Sequence, residues 1–240
     1  MILALETATT ACSAALCAAD GSVVAERLAC DGPAHSQRLL PFVHEVLEES
    51  GAGWDEVETV AVGLGPGAYT GLRIGVATAR ALAQADGRVG LAGVPTLTAL
   101  ALALSEAPEA VVGGLLVPLV DDRRREVFAA LYERVDRGLR QTGGVTVVGR
   151  DDLAGWLAGC GDAVVGGDGA ALYRELLPVS ARPAAGIETP TAAMVGRAVA
   201  LGAPGLVHGP DAVLPIYGRA PDATPRAAKP GAATRSGGSA

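Results

Sequence analysis

The hydrophobic pattern of the chain is most distinctive where a buried run passes through a glycine-rich turn into a helix. The apolar run 59–63 predicts a strand. The turn 65–67 reads Gly-Pro-Gly, in which proline fixes its own φ and glycine accepts backbone angles that other residues avoid. Thr70 is expected to cap the helix that follows over 71–85.

Apolar side chains surround this predicted helix on nearly every side, whereas a helix that packs on one sheet needs only one apolar stripe. Gly71, Gly75 and Ala79 recur every four residues and leave one edge of the helix bare. Another backbone can come close to such an edge. The helix is therefore expected to pack on its own sheet and to receive a second helix layer.

The hydrophobic pattern before residue 59 predicts three strands and an amphipathic helix. The runs 2–5, 13–18 and 23–28 form an antiparallel meander, with Asp20-Gly21 as a hairpin signal. A helix over 36–49 then carries five apolar residues on one face: Leu39, Leu40, Val43, Val46 and Leu47. A strand over 89–94 and a helix over 96–105 complete a β-β-β-α-β-α-β-α lobe.

The second half of the chain roughly repeats this plan with shorter helices. It predicts strands over 115–120, 127–132 and 144–148, and a strand with a glycine turn over 163–169. It also predicts a helix over 151–157, one that follows the glycine turn through 176, and one from the cap at 189–191 to about 201. We expect three regions: an N-terminal lobe over 1–108, a C-terminal lobe over 109–217 and a disordered tail over 218–240. The tail is rich in Pro, Ala, Gly and Ser, a composition that cannot bury enough surface to order itself.

Composition and charge limit the function classes. No apolar run has membrane-spanning length, and the four cysteines form no CxxC pair, which favours a reducing cytoplasm. The net charge is −7, and because four basic residues and one acidic residue follow Tyr217, the body carries −10. Such a body is expected to repel a polyanion. Lys229 lies in the tail and is the chain's only lysine, so the body has no P-loop or Schiff-base lysine.

Candidate chemical groups are few and scattered. The histidines His35, His44 and His208 lack metal-site spacing, and no serine stands in a GxSxG motif. Gly65 and Gly67 follow a strand as in a phosphate cradle, but neither a Lys-Ser/Thr pair nor the third glycine of GxGxxG follows them. A tight turn that lets a small-residue helix pack closely explains the same pattern.

Several stretches, taken in order, resemble one family. They are Ile2-Leu-Ala-Leu-Glu6-Thr7, His35-Ser36-Gln-Arg-Leu39-Leu40-Pro41, the block from Gly65 to Gly75, the run from Asp121 to Phe128, and Leu214-Pro215-Ile216-Tyr217. Together they resemble the TsaB family, whose members are a subunit of the bacterial machinery that makes threonylcarbamoyladenosine in tRNA. The resemblance implies an α/β fold with two ribonuclease-H-like lobes, the second reduced, as in the actin, sugar-kinase and heat-shock ATPase superfamily.

The resemblance further implies a cytoplasmic scaffold subunit without an active site of its own. The related catalytic subunit TsaD carries HxxxH metal ligands, whereas the corresponding stretch 94–104 has no histidine. ATP and metal would belong to the partners, a TsaD-type subunit and a TsaE-type ATPase, and tRNA would be met only in the complex. Whether the isolated chain forms a homodimer through the same helices is left open by the sequence.

The expected partner interface combines the two helices into half of an intermolecular four-helix bundle. Its residues are Leu39, Leu40, Val43, Val46, Leu47, Gly71, Leu72, Gly75, Val76 and Ala79. The alternative is an independent small-molecule kinase or ATPase of the same fold, with Glu6, Asp121 and Asp168 as metal ligands. The absence of lysine from the body weighs against that alternative.

Overall fold

The computed structural model describes residues 1–32, 34–136 and 138–218, so the predicted tail lies outside the described residues after Gly218. The strands are β1 (Ile2–Glu6), β2 (Cys12–Cys17), β3 (Val23–Ala29), β4 (Thr59–Gly63), β5 (Gly90–Val94), β6 (Leu115–Asp121), β7 (Glu126–Ala129), β8 (Tyr132–Val135), β9 (Gly138–Gln141), β10 (Thr146–Gly149), β11 (Ala163–Gly166), β12 (Ala181–Pro183) and β13 (Val207–His208). The α-helices are α1 (His35–Ser50), α2 (Tyr69–Asp86), α3 (Thr96–Ser105), α4 (Arg150–Cys160), α5 (Asp168–Leu172) and α6 (Ala192–Ala200).

Two mixed sheets share one strand plan. The first has the order β3-β2-β1-β4-β5, with β13 antiparallel to the outer edge of β5. The second has the order β10-β7-β6-β11-β12, with the hairpin β8–β9 attached to β6. In each sheet an antiparallel meander is followed by two strands parallel to its first strand. This repeat confirms the predicted α/β class with two related sheets.

Strand β1 shows how the alternation of side chains builds two cores. Successive residues of a strand point to opposite faces of the sheet. Leu3 and Leu5 therefore pack with α1 and α2 on one face, while Ile2 and Ala4 pack with α6 on the other. Helix α3 contributes to a core on each sheet and so joins the two lobes.

Helix α2 begins earlier than predicted. The N–H of Ala68 donates to the carbonyl oxygen of Ala8 at 2.6 Å, and the N–H of Leu72 donates to the Ala68 carbonyl oxygen. Ala68 is thus the N-cap residue, without a side-chain cap, and Thr70 already lies in the first turn. The predicted capping role of Thr70 is therefore wrong.

The predicted C-terminal lobe over 109–217 contains elements that pack elsewhere. Helix α6 lies against β1 and β2 and covers one face of the first sheet. Strand β13 pairs with β5 and extends the edge of the same sheet. The hairpin β8–β9 and the short strand β12 are additional to the prediction, which had one strand over 127–132. Within the described ranges, no helix is both long and apolar enough to cross a membrane.

Candidate functional site

Three of the stretches that carry the resemblance, at the end of β1, at the start of α2 and over 214–217, converge at one edge of the first sheet. The parallel strands β1, β4 and β5 end there at Glu6, Gly63 and Val94. In open α/β sheets this carboxyl edge is where ligands usually bind. The turn before α2, the start of α3 and residues 214–217 all reach the same edge.

Glu6 is buried at this edge, and its carboxylate is occupied by the chain itself. Oε1 accepts hydrogen bonds from the N–H groups of Thr7 and Ala8, both at 2.7 Å, and Oε2 accepts from the Thr96 hydroxyl at 3.0 Å. Burial raises the pKa of Glu6, while the hydrogen bonds from Ala8, Thr96 and Thr7 oppose that rise. The Thr96 hydroxyl oxygen in turn accepts from the N–H of Gly65. Glu6 therefore fastens the glycine turn to the strand ends.

The glycine turn is closed by its own chain. Gly65 has φ = 94°, a conformation that favours glycine, and a Cβ built there would lie 2.8 Å from the carbonyl oxygen of Ile216. A Cβ on Gly67 would lie 2.2 Å from the carbonyl oxygen of Ala8. The N–H groups of Leu64, Gly65 and Ala68 all donate within the chain. Because these three N–H groups are already hydrogen-bonded within the chain, the geometry favours a tight turn over a phosphate-binding loop.

The small-residue edge of α2 faces Thr7, which directly follows β1, so the close backbone approach expected at this edge is made within the chain. The Thr7 hydroxyl donates to the carbonyl oxygen of Gly71 at 2.9 Å. A Cβ on Gly71 would lie 2.1 Å from the Thr7 carbonyl oxygen, and one on Gly75 would lie 2.3 Å from Thr7 Oγ1. The backbone that comes close is therefore that of residue 7 in the same chain.

Most of the predicted interface residues are buried in the chain itself. Eight of the ten are buried: Leu39, Val43, Val46, Gly71, Leu72, Gly75, Val76 and Ala79. Leu47 is half-buried, and Leu40 is 56% exposed. Apolar residues at helical spacing occur both in internal cores and in interfaces, so the sequence pattern alone does not separate the two.

An aromatic pair at the start of α2 is a surface feature that sequence reasoning missed. Tyr69 and Tyr217 are 51% and 39% exposed, and their ring centroids lie 4.9 Å apart. The Arg73 guanidinium lies 5.3 Å from the Tyr69 ring centroid and donates to the Tyr69 hydroxyl at 3.0 Å. Only 3% of the residues are aromatic, so a tyrosine in each of two family-like stretches was the available signal.

The histidines are dispersed. His35 Nε2 lies 3.1 Å from the Ala11 carbonyl oxygen in a buried position, while His44 lies near Glu48 on the exposed face of α1. His208 is exposed on β13. In the part of the chain that the structure describes, no three His, Cys, Asp or Glu side chains are grouped to hold a metal ion.

The other two carboxylates of the kinase alternative lie beside the second sheet, Asp121 at the end of β6 and Asp168 at the start of α5, whereas Glu6 ends β1 of the first sheet. Asp168 Oδ1 accepts from the N–H of Asp121 at 3.0 Å, and burial raises the pKa of Asp168 to about 7. The cleft beside Gly166 and Gly167 has a volume of about 180 Å³. Ligand pockets typically measure about 300–1,000 Å³, so this cleft is small for a nucleotide.

Comparison with known proteins gives consistent results. The family model described as "TsaD: tRNA N6-adenosine threonylcarbamoyltransferase" matches residues 25–161, more than half of the chain. The "tRNA threonylcarbamoyladenosine biosynthesis protein TsaB" of Escherichia coli is 38% identical over 138 residues, which cover 58% of this chain and 57% of that protein. The Bacillus subtilis protein of the same name is 34% identical over 132 residues, 55% of each chain. The matched segment thus spans little more than half the length of these relatives.

A solved structure extends the similarity to nearly the whole described chain. "YeaZ from Pseudomonas aeruginosa" is 31% identical, with a TM-score of 0.69, and the match covers 90% of this chain and 98% of that one. A second Pseudomonas aeruginosa structure, with similarity to peptidase YEAZ, gives 31% identity and a TM-score of 0.72. On this evidence the chain belongs to the TsaB (YeaZ) family.

Proposed function

We propose that the chain is a non-catalytic subunit of the bacterial machinery that makes threonylcarbamoyladenosine in tRNA. The observation that carries the proposal is the internal use of the polar groups at the carboxyl edge of the first sheet. Glu6, Thr96 and the turn at Gly65 hydrogen-bond to one another, so these polar groups are engaged within the chain, which supports a role without chemistry at this edge. These hydrogen bonds hold the turn before α2 against the ends of the strands and so position the start of the helix.

The proposed partner is a TsaD-type catalytic subunit, held through the exposed faces of α1 and α2. Tyr69, Arg73 and Leu40 lie on these faces, and Arg73 has its cation–π contact with Tyr69. Tyrosine and arginine are enriched among residues that dominate binding energy at interfaces. The partner contact is therefore assigned to the outer faces of the two helices, in place of the buried face predicted from sequence.

The assembled complex would also contain a TsaE-type ATPase, with ATP and metal held by the partners. This chain would meet tRNA only within that complex, because its body before Gly218 carries a net charge of −10. Its role would be to hold the catalytic lobes in a working arrangement.

The test is reconstitution of threonylcarbamoyl transfer from this chain, its TsaD-type and TsaE-type partners and tRNA of one source. We expect transfer to require this chain. We also expect Glu6→Gln, Asp121→Asn and Asp168→Asn to assemble and to retain activity within about tenfold. A variant that assembles normally and loses several orders of magnitude in rate would place a catalytic group in this chain.

Calorimetry on the isolated chain tests the kinase alternative. Tight, stoichiometric ATP binding without any partner would favour the kinase. Absence of such binding, together with a stable complex with the TsaD-type subunit, would support the scaffold.

A further inference from the structure

A separate cleft lies at the amino ends of β4 and β5, opposite the carboxyl edge described above. Its volume is about 580 Å³, and it is open to solvent. Residues from the last turns of α2, the first residues of the two strands and β13 line it, among them Thr59, Arg80, Ala83, Gln84, Leu91 and His208.

The cleft exists because the chain leaves the first sheet after a very short strand. Only Val207 and His208 of β13 pair with β5, and the N–H of Gly209 then donates to the carbonyl oxygen of Leu91 at 2.9 Å. The following segment returns to α2 at Val213, which is buried in the same core as Ala79 and Ala83. Above this contact, Arg80 donates a hydrogen bond to the Val213 carbonyl oxygen at 3.4 Å.

The charge of the lining is opposite to that of the chain. The cleft contains Arg80 and His208 and no aspartate or glutamate, although the body before Gly218 carries −10. Within the described ranges, no carboxylate lies within ion-pair distance of Arg80, whereas the neighbouring Arg88 is paired with Asp86. A guanidinium has five N–H donors in a planar fork, so Arg80 retains donors for an external acceptor.

We propose that this cleft binds a small organic anion. The apolar body of the ligand would lie on Ala83 and Leu91, and its acid group would accept hydrogen bonds from the Arg80 guanidinium. The volume falls within the range of about 300–1,000 Å³ that is typical of ligand pockets. Apolar walls with a few convergent polar groups are also typical of such sites. The proposal is independent of the scaffold role.

The experiment is a fluorescence titration of the folded full chain with 8-anilinonaphthalene-1-sulfonate. N-phenyl-1-naphthylamine, which has the same apolar body without the sulfonate, serves as the neutral comparator. We expect one anion per chain and weaker binding of the neutral probe. Arg80→Gln should weaken anion binding about tenfold or more, because a charge-assisted hydrogen bond is lost. Arg182→Gln, an exposed arginine on β12 of the other sheet, is the matched control and should bind as the wild type does.

A second variant keeps the test valid if Arg80→Gln disturbs the contact with Val213. Gln84→Trp places a large side chain at an exposed lining position and should block the cleft while thermal unfolding stays unchanged. Displacement of the bound probe by benzoate or by phenyl phosphate distinguishes a carboxylate from a phosphate ligand. Equal anion binding by the wild type, Arg80→Gln and Gln84→Trp would overturn the proposal, as would absence of one-site binding in the wild type.

Discussion

The Thr7 hydroxyl donates a hydrogen bond to the carbonyl oxygen of Gly71, which joins the end of β1 to the first turn of α2. Both groups are buried, so neither has water as an alternative partner. Thr7 thus holds in place the helix that presents Tyr69 and Arg73 to solvent.

Replacing Thr7 by Val tests this contact, because valine keeps the shape and removes the hydroxyl. We expect a loss of about 1–3 kcal/mol of stability, since the Gly71 carbonyl oxygen is left unsatisfied. For a chain of this size that is a decrease of roughly 2–10 °C in melting temperature, measured by calorimetry. Thr146→Val on the exposed end of β10 is the matched control and should change little. An equal loss in both variants would show that the hydrogen bond contributes nothing specific.

Gly75→Ala is expected to destabilise the isolated chain, because its Cβ would lie 2.3 Å from Thr7 Oγ1. Overpacking of this kind typically costs about 1–3 kcal/mol. The measurement is urea unfolding of the chain alone. Gly155→Ala in α4 is the control, since a Cβ there meets nothing within 4 Å, and it should be neutral or stabilising. A normally stable Gly75→Ala chain that fails to bind a partner would instead restore the sequence-based interface.

Leu40→Glu should weaken association with a TsaD-type subunit while the free chain unfolds as the wild type does. Leu40 is 56% exposed on α1, so the change costs little in the monomer but places an unpaired charge in the proposed contact. We expect a loss of affinity of about tenfold or more by calorimetric titration. Leu172→Glu, at a 53% exposed site on the second lobe, is the control. Unchanged affinity of Leu40→Glu would remove α1 from the interface.

Asp168→Asn should raise stability at neutral pH more than at acidic pH. Burial raises the pKa of Asp168 from 3.8 to about 7, so the folded chain binds this proton more tightly than the unfolded chain. Stability is therefore lost as pH rises from about 4 to about 7, by at most about 4 kcal/mol. Asparagine keeps an oxygen for the N–H of Asp121 and does not titrate.

The pH series compares melting temperatures of the wild type and the variant from pH 4 to pH 8. Glu6 gives a slope of the same sign in both proteins, because its pKa is also raised, so the difference between them isolates Asp168. Asp162→Asn, at an exposed site, provides the reference. A difference that does not change with pH would show that Asp168 is ionised in the folded chain at little cost.

The isolated chain should bind tRNA weakly or not at all at physiological salt. Phosphate contacts dominate nucleic-acid affinity and need clustered cations, while the body before Gly218 carries −10. Filter binding with labelled tRNA measures this directly. Submicromolar binding would contradict the expectation, and removal of residues 218–240 would then show whether the four basic residues of that segment are responsible.

The local elements followed from the sequence because their signals are local. The meander is marked by Asp20-Gly21, where Gly21 has φ = 85°, and the strand and helix around Gly65 follow from apolar runs and turn residues. The direction in which α2 presents its small residues did not follow. Residue size shows that a backbone comes close but does not show whose backbone it is, and here it is that of Thr7.

The contacts between elements distant in sequence could not be predicted from the hydrophobic pattern either. Strand β13 has two residues, too few for any periodicity, and helix α6 has the same apolar face whichever sheet it covers. The Tyr69–Tyr217 stack brings together two stretches from distant parts of the chain. The resemblance named both stretches, yet their contact became visible only in three dimensions.

Because the chain returns to the first sheet at β13, the first lobe gains its last contacts late in synthesis. The outer edge of β5 receives β13, and the carbonyl oxygen of Leu64 accepts from the N–H of Ile216. Both groups leave the ribosome well before their partners, which lie far downstream in the chain. Until Val207 to Tyr217 emerge, the nascent first lobe exposes an unpaired strand edge of the kind that promotes aggregation. A ribosome stalled before residue 207 would therefore hold a lobe that is incomplete.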